Sequence, residues 1–240
     1  RAVRRLAALG DPAPGARRSG TLPGVNGANG AELRRRDFVA RAGHLGLAAA
    51  VAAALPVAAR MPRPEAALAQ GPNLADATLQ AFFDTIVPGR VVTVTQSGAP
   101  IHPQAIAGVD PEPGAVEADA LLLAHDAKIG FDALAPAFLA DLAARSAGGG
   151  GQFLDLDYDG REAVCLAGLE FSNPDRVVWE AAAAVPFTAF CAAATVENAT
   201  RETAVGYRVM GHPGVAPKGY EDFSFRRKLN RGITRKGSLP

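Results

Sequence analysis

The sequence is poor in the signatures that announce catalysis. It has no G-x-S-x-G nucleophile elbow, no G-x-G-x-x-G after a strand and no phosphate-cradling Walker loop. Its four consecutive glycines, Gly148 to Gly151, follow a helical pattern and read as a flexible link. The four histidines, His44, His102, His125 and His212, stand far apart, and no two have the i,i+4 spacing of a helical metal-ligand pair. His125, next to Asp126 in a helical stretch, reads as a surface residue. Aromatic residues are only 6% of the 240. Alanine dominates instead, strand-like runs are scarce, and apolar residues recur at helical spacing. An all-α fold is expected, an irregular bundle of about five helices with long Pro/Gly-rich loops.

A net charge of +1 conceals three unlike regions. Residues 1–69 hold eleven Arg, no Lys and four acids; residues 70–225 hold eight basic and twenty acidic residues. The last segment, 226–240, has six basic residues and no acid. The expected organisation follows: a leader over 1–69, an acidic helical domain over 70–225 and a basic tail over 226–240.

The leader carries the sharpest signal. In "RRRDFVARAGHLGLAAAVAAALPVAARMPRPEAALAQ", Arg35 and Arg36 are followed after one residue by Phe38 and Val39, then by a weakly apolar run from Ala42 to Ala59, then by Ala67 and Ala69 in small-x-small spacing. This resembles a twin-arginine export signal cleaved after Ala69, with Arg34 standing where Ser or Thr is usual. Paired guanidiniums offer a planar, permanent charge to acidic receptor groups. The alternatives are a membrane anchor, for which Gly43, His44, Gly46 and Pro56 make the run a poor candidate, and a buried core helix. The resemblance implies export across the cytoplasmic membrane, into a periplasm or the medium. Residues 1–33 begin with Arg rather than Met and are rich in Gly, Pro and Arg, which reads as a disordered leader or an over-extended translation start.

Five helices are expected beyond it. "NLADATLQAFFDTIVPG" ends at Pro88-Gly89; "RVVTVTQ" suggests a short extended segment; residues 96–113 are loop, with four prolines. A second helix is expected from about Gly114 to Gly130, and a third over "FDALAPAFLADLAARSA". A fourth opens near "DLDYDG". The fifth, capped by Asn173 with Pro174 first inside, is expected to continue to about Thr200, kinked at Pro186 and buried by its neighbours. Beyond Arg201 the Gly- and Pro-rich composition suggests a surface-hugging loop rather than a helix.

"DLDYDG" also begins like a calcium loop, with Asp155, Asp157 and Asp159 at alternate positions before Gly160. The twelfth position, where such a loop needs a bidentate Glu, is Leu166. A helix start is the better reading, with Asp159 as cap and Glu162 completing a capping box. Cys165 and Cys191 lie on the last two helices and admit three readings: a disulfide suited to an exported protein, two packed thiols, or a bridge to another subunit. The basic tail suits an acidic partner, an anionic membrane face or the chain's own acidic body better than nucleic acid, or is simply solvated.

At "TLQAFFDTIVPG", downstream of a twin-arginine leader, the chain resembles the small-subunit family typified by gluconate 2-dehydrogenase subunit 3. "FLDLDYDGREAVCLAGL" and the closing "MGHPG" extend the likeness in outline over most of residues 70–225, while the alanine-rich fifth helix and the basic tail depart from it. The resemblance implies a non-catalytic chain that accompanies a flavoprotein large subunit of the glucose-methanol-choline class, with FAD in that partner and no cofactor here. A cytochrome subunit is a further partner such systems admit, and the export machinery is a third. Docking is expected through Tyr207, His212, Tyr220 and Phe223, aromatics beside glycines. Two rivals stand beside this reading: a free-standing secreted helical binding protein, and an enzyme using His212 and the acids around it.

Overall fold

Alanine has no side-chain entropy to lose in a helix, and the alanine-rich run forms one: Arg35–Ala58 (α1), continuous through Pro56. It is followed in chain order by Pro72–Ile86 (α2), Ala120–Ala124 (α3), Ala135–Gly148 (α4), Tyr158–Leu169 (α5), Arg176–Cys191 (α6) and Val205–Val209 (α7), with 3-10 turns at Phe131–Ala133 and Phe153–Asp155. The computed structural model describes residues 35–61 and 72–212, all within one unit spanning Leu33–Pro240, with the side chains of 35–42 and of Pro72 left aside. Among the described residues the fold is all-helical. The "RVVTVTQ" segment contributes only an isolated bridge between Val94 and Pro100. No described helix is long and apolar enough to cross a membrane.

α1 is packed on the other helices. Leu47, Val51, Ala54 and Ala58 recur at spacings of four, three and four along α1, and all are buried, as is Met61 just beyond. This stripe lies along α6. A Cβ on Gly43 would stand 3.4 Å from Ala192 and 3.6 Å from Thr188, in ordinary van der Waals contact with the end of α6.

α2 sits at the centre, buried on all sides from Leu79 to Thr85. It stops where Pro88 withholds an amide hydrogen, and Gly89 then meets Gly114 back to back: a Cβ on Gly89 would lie 2.3 Å from the Gly114 nitrogen. That close crossing returns the Pro-rich loop to the end of α2, where Ala115 N–H donates to the Val87 carbonyl at 3.1 Å.

The second expected helix shrinks to the five residues of α3. Turns occupy 115–119, and Asp119 takes a left-handed conformation, φ 63°, which helical residues do not adopt. α5 starts two residues earlier than expected, with Asp157 rather than Asp159 as its cap, accepting from Gly160 N–H at 2.9 Å. α6 starts at Arg176 rather than Pro174. Asn173 instead turns the chain, accepting from Asp175 N–H and donating to the Gly168 carbonyl. The same helix ends at Cys191, well short of Thr200, because Ala193 takes φ 47°. The segment past Arg201, expected as loop, contains α7.

Phe82, Phe138 and Trp179, from α2, α4 and α6, meet edge to face with ring centroids 4.7 to 6.0 Å apart. The Trp179 indole N–H donates to Asp141 at 2.8 Å, and Arg145 holds the same carboxylate oxygen at 2.8 Å. α5 reaches this cluster only because it presents Gly168: a Cβ there would stand 2.1 Å from the indole. Trp179 is fully buried and fixed at its nitrogen, so it has nowhere to move. Gly168→Ala is expected to cost about 2–3 kcal/mol by overpacking, measured by urea denaturation with the single tryptophan as reporter.

Candidate functional site

Two polar side chains, Gln80 and Asp84, interrupt the apolar sequence of α2 one turn apart, and both are buried. Their partners are backbone groups of the Pro-rich loop. Gln80 accepts from His102 N–H at 2.9 Å and donates to the Pro100 carbonyl at 3.3 Å. Asp84 accepts from Ala107 N–H at 2.8 Å and from Gly89 N–H at 3.2 Å. Arg161 of α5 donates to the carbonyls of Gln104 and Leu154 at 2.8 Å and of Ala105 at 3.0 Å, with its Nε left without a partner. Burial pushes the Asp84 carboxyl from 3.8 up to about 6, against the two backbone hydrogen bonds and the Arg161 charge, which pull it down. A shifted carboxyl beside a guanidinium is a familiar catalytic pairing. Here Asp84 is 1% exposed and Arg161 4%, so neither meets a solute; the cluster anchors the loop.

The end of that loop is tied by a second network. Gln96 N–H donates to the Glu117 carbonyl at 2.8 Å, and the Gln96 side chain donates to Thr195 at 3.3 Å and accepts from Val205 N–H at 3.2 Å. Ser97 Oγ donates to Asp119 at 2.6 Å, and Arg90 meets Glu117 with two hydrogen bonds at 2.8 and 3.0 Å.

His125 is a clamp. Its Nδ1 lies 2.8 Å from Asp132 and its Nε2 3.1 Å from Asp76, joining α2, the end of α3 and the turn that follows. Burial opposes its charged form, but the hydrogen bonds to Asp132 and Asp76 outweigh it and hold the ring above its usual 6.5. The clamp therefore contributes below that value and weakens as pH rises through the raised one. Its ring is half exposed, which screens the contribution.

Among the described residues two open surfaces are lined largely by helix residues, and a further one, about 440 Å³, by residues 90–96 and Glu117. A cleft of about 430 Å³ is lined by Thr78, Leu139, Ala143, Phe153 and the glycine link, and the Thr78 hydroxyl already donates to the Leu74 carbonyl. The larger groove, about 680 Å³, runs along the outer side of α6 between Leu169, Ala183, Ala184, Phe187, Thr188 and Cys191. It is largely apolar, with Glu180 also in its lining, Phe187 is half exposed in it, and it adjoins the α1 seat through Thr188 and Ala192. A contiguous apolar surface of this kind is suited to another polypeptide rather than to polar chemistry.

The residues singled out by sequence fall as follows. Asp157 is taken up in capping α5, Asp155 lies in a 3-10 turn and Asp159 in the first turn of α5. Among the described residues no group of three or more His, Cys, Asp or Glu is arranged around a metal position. Both cysteines are free, so the bridge between them is not the arrangement seen. Cys165 is buried, its thiol pushed by burial up to about 12, and Cys191 opens onto the α6 groove with its thiol also raised by burial. Neither is an activated nucleophile. Tyr207, expected to be exposed for docking, is buried: its hydroxyl donates to the Ala192 carbonyl at 3.3 Å and its ring lies 4.5 Å from that of His212. An aromatic beside a glycine pins α7 to the end of α6 here. His212 is exposed; Tyr220, Phe223, Ala67 and Ala69 lie outside the described residues, as do the side chains of Arg35, Arg36 and Phe38. Gln80, Asp84 and Arg161 escaped the sequence reading, although an i,i+4 polar pair within an apolar helix is a signal for a buried polar face.

A family model described as "Family of unknown function (DUF5987)" matches residues 73–238. No curated protein and no solved structure matches the chain.

Because folded Asp84 holds its proton up to about 6 rather than 3.8, folding takes up a proton between those values, and stability from this group falls as pH rises through about 6. Asp84→Asn places an amide donor against a backbone N–H and is less stable throughout. The gap between wild type and variant is expected to narrow from about pH 4 to about pH 7, read by urea denaturation across that range.

Proposed function

The chain belongs to DUF5987, a family of unknown function, and we propose for it the role of a non-catalytic escort subunit for an exported flavin-dependent dehydrogenase of the glucose-methanol-choline class. The observation that carries the reading is the union in one chain of a leader of twin-arginine form, with Arg35, Arg36 and Phe38, and a helical body centred on "TLQAFFDTIVPG". That segment resembles the small subunits of gluconate 2-dehydrogenase type, and it forms the buried half of α2 with its Pro-Gly stop.

The side-chain chemistry supports the same role. Asp84, Arg161, Asp119 and Asp141 are each engaged in holding backbone or core, and both thiols have raised pKa values. What the body offers outward is an apolar groove on α6, which suits docking. FAD belongs, in this reading, to the large subunit, and the escort contributes the address and a docking face.

The test is recovery of the tagged full-length chain from the exported fraction of its native host, with its associates identified by mass spectrometry and flavin absorbance. A stoichiometric flavoprotein is expected. Replacing the pair, Arg35→Lys with Arg36→Lys, is expected to strand both proteins in the cytosol, since the ammonium cannot reproduce the guanidinium fork. A chain that leaves the cell as a solitary monomer, or that oxidises a small molecule unaided, overturns the reading.

A further inference from the structure

We propose that the face of α6 beneath α1 is a helix-docking surface, occupied by the chain's own leader before export and afterwards by an apolar, small-residue helix of the partner subunit. This rests on the export reading above and adds the mode of assembly.

The argument begins with α6 itself. Nine of its sixteen residues are buried, among them Ala181, Ala182, Val185 and Ala189. A helix apolar on so many sides is a core helix and does not remain open to water. α1 lies along it through Leu47, Val51, Ala54 and Ala58. Cleavage after Ala69 removes that cover and leaves a contiguous apolar strip, the mark of an interface.

The resident helix states the chemistry of its replacement. Gly43 lies beside Thr188 and Ala192, Ala54 and Ala58 are the buried small residues of the stripe, and Leu47 and Val51 are its buried branched ones. A successor must repeat that order of small and branched residues on one face. The open groove beside it, with Leu169, Phe187 and Cys191, shares Thr188 and Ala192 with the α1 seat. An incoming helix can therefore engage Phe187 while α1 is still bound and extend into the seat as α1 leaves.

Two experiments test this. The full-length chain is given a site-specific protease site within residues 62–71, cut under native conditions and mixed with a fluorescent synthetic peptide of residues 40–61. The peptide is expected to exchange with the nicked leader, and a Val51→Asp peptide to bind at least about tenfold more weakly, because a carboxylate enters a buried site. Equal binding of the two peptides, or none of either, overturns the proposal. In the native host, a photo-crosslinking residue replaces Thr188 of the full-length chain, and the exported protein is irradiated. Support is a crosslink to an apolar, small-residue helix of another protein, lost in competition with the 40–61 peptide. A crosslink to residues 35–61 of the same chain, to a second copy, or to nothing overturns it. If the crosslinked protein proves not to be a flavoprotein, the escort reading falls and the docking surface stands.

Discussion

The fold depends on how a loop without secondary structure is kept against a helix. Residues 88–119 make neither helix nor sheet, yet Ile101, Ala105, Ile106 and Ala115 among them are buried. Burying such backbone leaves amides and carbonyls in need of partners. Gln80 and Asp84 supply acceptors and a donor from α2, and Arg161 donates to carbonyls from α5, so one loop is gripped between two helices. The cost is visible in Asp84, whose carboxylate is expensive enough in this setting to hold its proton to about 6. Replacing the three by apolar groups would remove the charge but orphan the loop.

A second grip fixes the opposite end of the core. Trp179 is held by its nitrogen through Asp141, Asp141 by Arg145, and Arg145 reaches Asn173, which bonds the Gly168 carbonyl against the indole face. The circuit closes on itself, so the angle between α5 and α6 and the position of α4 are set together. That geometry turns Phe187 and Cys191 outward and lays Leu169 beside them, and the open groove is its consequence.

Much of this was legible where the determinants are local. α2 ends just ahead of its Pro-Gly stop, and α4 stops at the glycines, because those residues act within one turn. The failures have distant causes. Asp119 breaks the second helix with its carboxylate held by Ser97, twenty-two positions away. α6 stops at Cys191 although the alanine pattern continues, since Ala193 and Thr195 are taken up in packing against α7 and the 117–119 turn. Tyr207 looked like a docking aromatic because burial depends on where α7 lands, which composition does not encode. The segment 1–69 is set apart by its charge and its export-signal motif, and while a buried helix is one reading of its apolar run, no local signal names the face, more than a hundred residues away, on which α1 packs.

That last point bears on how one segment can serve as both address and cover. In the proposed export role a leader cannot be strongly apolar, or it would stay in the bilayer, and Gly43, Gly46 and Pro56 among the alanines of α1 suit that requirement. On α6 the fully buried part of its described stripe is Leu47, Val51, Ala54 and Ala58, with Leu55 and Val57 partly buried against the core. Outward-facing Leu45 and the exposed alanines add nothing to that grip. In the proposed role a low affinity is an advantage: before export the covalent link keeps α1 at high effective concentration over its seat, and once the link is cut the contact alone must hold it. In that role a partner helix that buries more apolar surface on the same face is the one able to displace it.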